Sequence, residues 1–199
     1  MNPVALQVNK EVDHINQTNH HPQGDGWRFG HQIYIMARGI HDWSRLMGEP
    51  ETGKAGMLTE FLVEDHRRLD GFLQTAMAHP GTVDDQAYGQ FRGGLLRHIG
   101  MEEKILLPAA QRQRSGEPLS LAAKLRLDHG ALASLLMPTP TAAILATIQG
   151  ILVEHNVLEE GPGGLYETCD SSAGPEGETI LAALRAAPEV AVMRYNDSP

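Results

Sequence analysis

The chain has 199 residues, enough for one domain with a sizeable core and an appendage but short for two full domains. With 41% hydrophobic and 21% charged residues the composition is globular, not disordered or collagenous, and a formal charge of -9 without any basic run argues against a nucleic-acid surface. The longest apolar window, 142–153, is interrupted by Thr147, Gln149 and Gly150 and is too short to span a bilayer, so no membrane span is expected.

Aromatic residues are scarce at 5% while Ala and Leu abound, which favours helix. The one cysteine, Cys169, cannot build a disulfide framework and reads as a small residue near a turn. Residues 1–10 lack a basic start followed by an apolar run, so a reducing cytoplasm is the expected compartment.

Residues 1–26 are polar, without period, and end in Pro22-Gln23-Gly24-Asp25-Gly26, which reads as a flexible arm whose His14, His20 and His21 are solvated. From Trp27 to Met47, apolar residues recur at steps of three and four and describe an amphipathic helix, closed by the Gly/Pro-containing loop 48–56. Helix A follows from about Met57 to His79, with Leu58, Leu62, His66, Leu69, Leu73 and Ala76 on one seam. Helix B, about Val83 to Arg112, has the seam Phe91, Leu95, His98, Glu102, Ile105 and Ala109. A kink or a close helix approach is expected at Gly93-Gly94 and at Pro108.

Helix C, about Ser120 to Met137, carries Ala122, Leu125, His129, Leu132 and Leu136 on its seam. Helix D, about Thr141 to Glu160, carries Leu145, Ile148, Leu152, His155 and Glu159, and Gly161-Pro162-Gly163-Gly164 ends it. A last short helix, about Pro175 to Ala187, precedes a frayed tail. The expected organisation is an N-terminal extension (1–56), a body of four helices (57–168) and a C-terminal helix and tail (169–199). Two helix pairs joined by short connections fold most simply into an all-α, up-down-up-down four-helix bundle.

Within that body a pattern occurs twice: Asp65-His66 then His98-x-x-x-Glu102-Glu103, and Asp128-His129 then His155-x-x-x-Glu159-Glu160. Four residues advance a helix by about 400°, so each His and the Glu four residues on lie one above the other and reach one centre. A single such residue reads as a core histidine satisfied by a hydrogen bond, and imidazolium–carboxylate pairing is the structural alternative for all six. Burying four imidazoles and two carboxylates on apolar seams, with each unpaired polar group costing about 1–3 kcal/mol, points instead to metal. Nitrogen and oxygen donors without thiolates suit iron, manganese or zinc. If Glu102 and Glu159 both bridge, two ions are each given two histidines and two carboxylate oxygens, with an open position left for a small ligand.

That order of motifs over 57–167 resembles the hemerythrin and HHE cation-binding family. The resemblance implies a non-haem di-iron bundle with an oxo or hydroxo bridge and with His66, His98, Glu102, His129, His155 and Glu159 as metal ligands. Oxygen-carrying hemerythrins place a second histidine one turn after the first on the third helix, where this chain has Ala133. Members that repair iron centres carry a cysteine-bearing N-terminal domain, and residues 1–56 hold no cysteine. The expected function is therefore binding or sensing of oxygen or nitric oxide, or iron handling. The alternative is a di-iron enzyme that reduces peroxide, oxygen or nitric oxide.

The neighbouring residues are assigned lesser roles. Adjacent helical residues point about 100° apart, so Asp65 and Asp128 are expected to be solvated or to act on the helix charge rather than to ligate. Asp70, one turn beyond His66, is a candidate extra oxygen donor. Glu103 and Glu160 are read as surface carboxylates or as partners of ligand imidazoles. Tyr166 is expected to cap the core or to close the pocket, and His31, His41 and His79 to face solvent.

Overall fold

The chain divides between Gly53 and Lys54 into two units. The structure, a computed structural model, describes residues 56–197, which fall in the second. The arm, the helix expected over 27–47 and His14, His20, His21, His31 and His41 lie outside the described residues. Among the described residues there is no strand. The elements are α1 (Met57–Ala76), α2 (Asp85–Met101), a π-helical turn (Glu102–Leu106), α3 (Leu107–Gln113), α4 (Ala122–Leu135), α5 (Ala142–Glu160), α6 (Leu165–Ala173), a 3₁₀ turn (Gly174–Glu176) and α7 (Gly177–Arg185). No helix among them is long and apolar enough to cross a membrane.

The helical period places the expected seams inside, except that Ile105 and Leu152 are only half-buried. On α1, Leu58, Leu62, His66, Leu69, Leu73 and Ala76 are all buried, and each leucine so removed from water contributes roughly 1.5–3 kcal/mol. Two apolar clusters result. One gathers Leu58, Leu62, Met101, Leu106 and Leu125 with residues of α6 and α7. The other gathers Leu69, Leu73, Phe91, Leu95, Leu132, Leu145 and Ile148. Each of α1, α2, α4 and α5 passes from one cluster to the other, and the polar seam residues lie where it crosses between them.

The helix ends follow from local chemistry. Asp84 accepts the Ala87 N–H at 2.9 Å to start α2, and Thr141 accepts the Ile144 N–H at 3.2 Å to start α5. At the start of α1 the cap position is Gly56, which has no side chain to offer. The carboxylate of Asp170 on α6 takes its place, accepting from Leu58 N at 3.0 Å, Thr59 N at 2.9 Å and Thr59 Oγ1 at 2.6 Å. A Cβ at Gly56 would lie 2.0 Å from Asp170 Cγ, so the long-range cap requires glycine there.

The two expected weak points of helix B behave differently. At Gly94 the helix stays regular and the missing side chain permits close approach, since a Cβ would meet Leu69 Cδ2 at 2.6 Å. Pro108 lacks an N–H and its ring crowds the carbonyl four residues earlier, that of Lys104. The chain answers with the wider π turn just before it, in which the Leu107 N–H bonds to the Glu102 carbonyl.

Two expectations at the C-terminal end are corrected. A helix, α6, begins directly after the Gly161–Gly164 break, where none was expected; it is short and small-residue-rich, and its apolar pattern of Leu165, Tyr166, Cys169 and Ala173 is brief. The tail after α7 has no regular structure, yet it is not frayed. Arg92 donates to the Met193 carbonyl at 2.7 Å and lies 4.7 Å from the centre of the Tyr195 ring. The Asn196 N–H reaches the Met137 carbonyl at 2.9 Å. Arg97, next to the ligand helix seam, donates to the Ala187 carbonyl at 3.0 Å just beyond α7.

Candidate metal centre

The six expected ligands come together. Two groups of buried side chains, His66, His98, Glu102 and Glu159, and Glu102, His129, His155 and Glu159, each present donor atoms within 4.8 Å of one another. Both carboxylates belong to both groups and divide their oxygens between them. Glu102 Oε1 lies 3.4 Å from His98 Nε2 and its Oε2 lies 3.1 Å from His129 Nε2. Glu159 Oε2 lies 3.5 Å from His66 Nε2 and its Oε1 lies 3.1 Å from His155 Nε2. Both glutamates are 0% exposed.

Every imidazole is turned with Nε2 inward and Nδ1 against a carboxylate. His98 Nδ1 meets Asp65 at 2.8 Å, His129 Nδ1 meets Glu103 at 2.8 Å, His155 Nδ1 meets Asp128 at 3.4 Å and His66 Nδ1 meets Glu160 at 2.5 Å. A carboxylate can only accept, so each Nδ1 carries a hydrogen and each Nε2 is left facing the centre. The four bonds form a closed circuit, from α1 to α2, from the π turn to α4, from α4 to α5 and from α5 back to α1. Each first Asp and each second Glu of the repeated motif thus serves the histidine of an adjacent helix.

The expectation for Asp65 and Asp128 is therefore corrected. Both are 8% exposed and hold imidazoles instead of facing solvent. A side chain about 100° from the ligand direction looks sideways to the adjacent helix, not outward. Of the two roles expected for Glu103 and Glu160, surface carboxylate or partner of a ligand imidazole, both take the second. His79 is exposed, as expected, and Cys169 is buried in the core. Asp70 joins neither donor group and accepts from Gln74 at 3.4 Å.

Tyr166 enters the first group from α6. Its ring is 0% exposed and its hydroxyl oxygen lies 2.7 Å from Glu102 Oε1, 3.1 Å from His66 Nε2, and 3.2 Å from both His98 Nε2 and Glu159 Oε2. Among the described residues no hydroxyl enters the second group. There the two nitrogens His129 Nε2 and His155 Nε2 face each other at 3.2 Å, and Glu102 Oε2 and Glu159 Oε1 are buried without a hydrogen-bond partner among the described residues.

The electrostatics favour a cation. Burial would drive the Glu102 carboxyl up, but the charge of His98 and the contact with His129 hold it well below the usual range. Burial opposes charge on His98, yet Glu102 and the Asp65 hydrogen bond raise it to about 10. His129 is likewise raised to about 10, against burial, by Glu102, Glu159 and Glu103. Burial, followed by the charges of Glu102 and Glu159, pushes the Tyr166 phenol well above its ordinary value. Around the centre, Arg68 pairs with Asp65 at 2.7 Å, Lys124 with Asp128 at 2.5 Å and Arg126 with Glu103 at 3.0 Å. Six carboxylates against these three cations leave three negative charges to be met by protons or metal.

Inward-facing Nε2 atoms, carboxylate oxygens with no hydrogen-bond partner among the described residues, and an excess of carboxylates over Arg and Lys all fit a metal ion bound in each group in place of imidazole protons. The donors are imidazole and carboxylate only, with no thiolate, which suits a borderline or hard divalent ion. Comparison of the chain with protein-family profiles, curated proteins and solved structures gives no match. The class is therefore defined by fold and site alone: an all-helical protein with buried His/Glu clusters able to hold metal.

Proposed function

We propose that this chain is a hemerythrin-like di-iron protein, an up-down-up-down four-helix bundle of α1, α2, α4 and α5 that binds or senses oxygen or nitric oxide, or handles iron. The observation that carries the reading is the sharing of Glu102 and Glu159 between two donor groups, with one oxygen of each directed to each group. A mononuclear site has no use for that division, whereas a pair of ions does. The topology is supported by the circuit of four Nδ1–carboxylate bonds and by the order in which successive helices cross between the two apolar clusters.

When bound, a pair of iron ions supplies redox-active positions for a small diatomic ligand. The protein's part is to fix the donors. The imidazole-holding carboxylates lock ring orientation, and the apolar clusters above and below keep the centre dry.

Metal analysis of the freshly purified full chain is expected to find about two iron ions, with manganese or zinc as the competing ions. Mixing the reduced protein with oxygen or nitric oxide should change its visible spectrum. Protein that is purified without iron and cannot be loaded with it overturns the reading.

A further inference from the structure

Tyr166 has more polar neighbours than a buried phenol needs. One acceptor satisfies a tyrosine hydroxyl in a core. Here the oxygen has four atoms of a single donor group around it, at 2.7, 3.1, 3.2 and 3.2 Å. In a metal sphere with bonds of about 2.1 Å, donors at right angles lie about 3.0 Å apart. An oxygen at that separation from four donors stands where a further ligand of the same ion stands.

Its placement is fixed from two sides. Tyr166 and Asp170 are four residues apart on α6, so they share a face. Asp170 is tied by three hydrogen bonds to the first turn of α1, the helix that carries His66. The ring also lies 5.6 Å, centre to centre, from that of His66. Among the described residues the second donor group receives nothing comparable, and Ala133, one turn after His129, offers no donor.

The geometry points to Tyr166 as an additional oxygen ligand of the metal held by His66, His98, Glu102 and Glu159, which makes the two metal positions chemically unequal. The inference rests on the di-iron reading. As the metal enters, the phenol O–H bond is replaced by an O–metal bond and the proton leaves to solvent. One position then has five protein donors and the other four, so the His129–His155 position has more room for an external ligand.

The test loads the full chain anaerobically with ferrous iron, oxidises it in air, and records metal content, visible absorption and resonance Raman spectra. Wild-type protein is expected to show a tyrosinate-to-ferric charge-transfer band with enhanced tyrosine ring vibrations. Tyr166→Phe should keep about two iron ions and lose both signals. His155→Ala should keep the tyrosinate signals and His98→Ala should lose them. Wild-type protein that holds two irons without tyrosinate signals overturns this assignment and leaves the di-iron reading standing. Signals that survive in Tyr166→Phe, or that follow His155 instead of His98, also overturn it. A chain that takes up no iron overturns both. If the variants fail to fold, the wild-type spectrum alone decides.

Discussion

The two halves of the centre are built from the same parts yet differ inside. Each has two inward imidazoles, one oxygen from each shared glutamate, and two carboxylates outside holding Nδ1. The His66–His98 half has a phenol oxygen among its donors, whereas the His129–His155 half has two carboxylate oxygens with no hydrogen-bond partner among the described residues and two imidazole nitrogens 3.2 Å apart. The repeated motif thus accounts for the donors of both halves. A helix outside the repeat, α6, distinguishes them, because it approaches from one side only.

The largest effect is expected from removing a part common to both halves. Glu102→Ala should lower iron content at both positions. It should also destabilise the protein by about 3 kcal/mol or more, because two buried imidazoles lose their shared counter-charge. His66→Ala or His129→Ala should leave about one ion per chain. Metal analysis with denaturant unfolding checks both, and a Glu102→Ala protein with full iron would refute the bridging role.

Next come the carboxylates that orient the rings. Asp65→Asn and Asp128→Asn should each weaken metal affinity by about 10–100-fold, and only at the half whose imidazole is released. Competition with a metallochromic chelator separates a one-site from a two-site loss. Equal weakening of both ions by either variant would mean that the halves are not independent.

The pH dependence should differ between metal-free and loaded protein. His98 and His129 are raised from 6.5 to about 10, so the folded metal-free chain holds protons that the unfolded chain has released. Their contribution to stability is complete below about pH 6.5 and is lost as pH rises towards about 10. Thermal midpoints of chelator-treated protein should therefore fall across that window. In iron-loaded protein metal replaces those protons, and the midpoint should change less.

The smallest effect is expected at Asp170→Ala, which removes the cap of α1 and should cost about 1 kcal/mol. Because Asp170 anchors α6, the variant should also weaken the tyrosinate signals while keeping both ions. Unchanged stability in a melt would show that the three hydrogen bonds of Asp170 are replaced by water without loss.

Much of the centre was legible because helical geometry is local. The seam positions of His66, His98, His129, His155, Glu102 and Glu159 follow from steps of three and four residues, and the structure brings all six together. The carboxylates beside them were legible only in part. Asp65 and Asp128 are adjacent to ligands in the chain, but whether a side chain about 100° away meets solvent or a neighbouring imidazole depends on which helix lies beside it and how that helix is rotated.

The sequence by itself determined the helical class, the boundaries of α1, α4 and α5 to within a few residues, and the repeated donor set, since each rests on periodicity and on the chemistry of single residues. Tertiary structure decided the rest. It set the circuit of imidazole-holding carboxylates, the π turn that carries Glu102 ahead of Pro108, the pinned tail, and the approach of Tyr166. These depend on contacts between residues far apart in the chain, some by a hundred or more positions, such as Tyr166 with His66 and Asp170 with Leu58, separated by 100 and 112 positions. No local pattern encodes such contacts, because they exist only after the helices have packed.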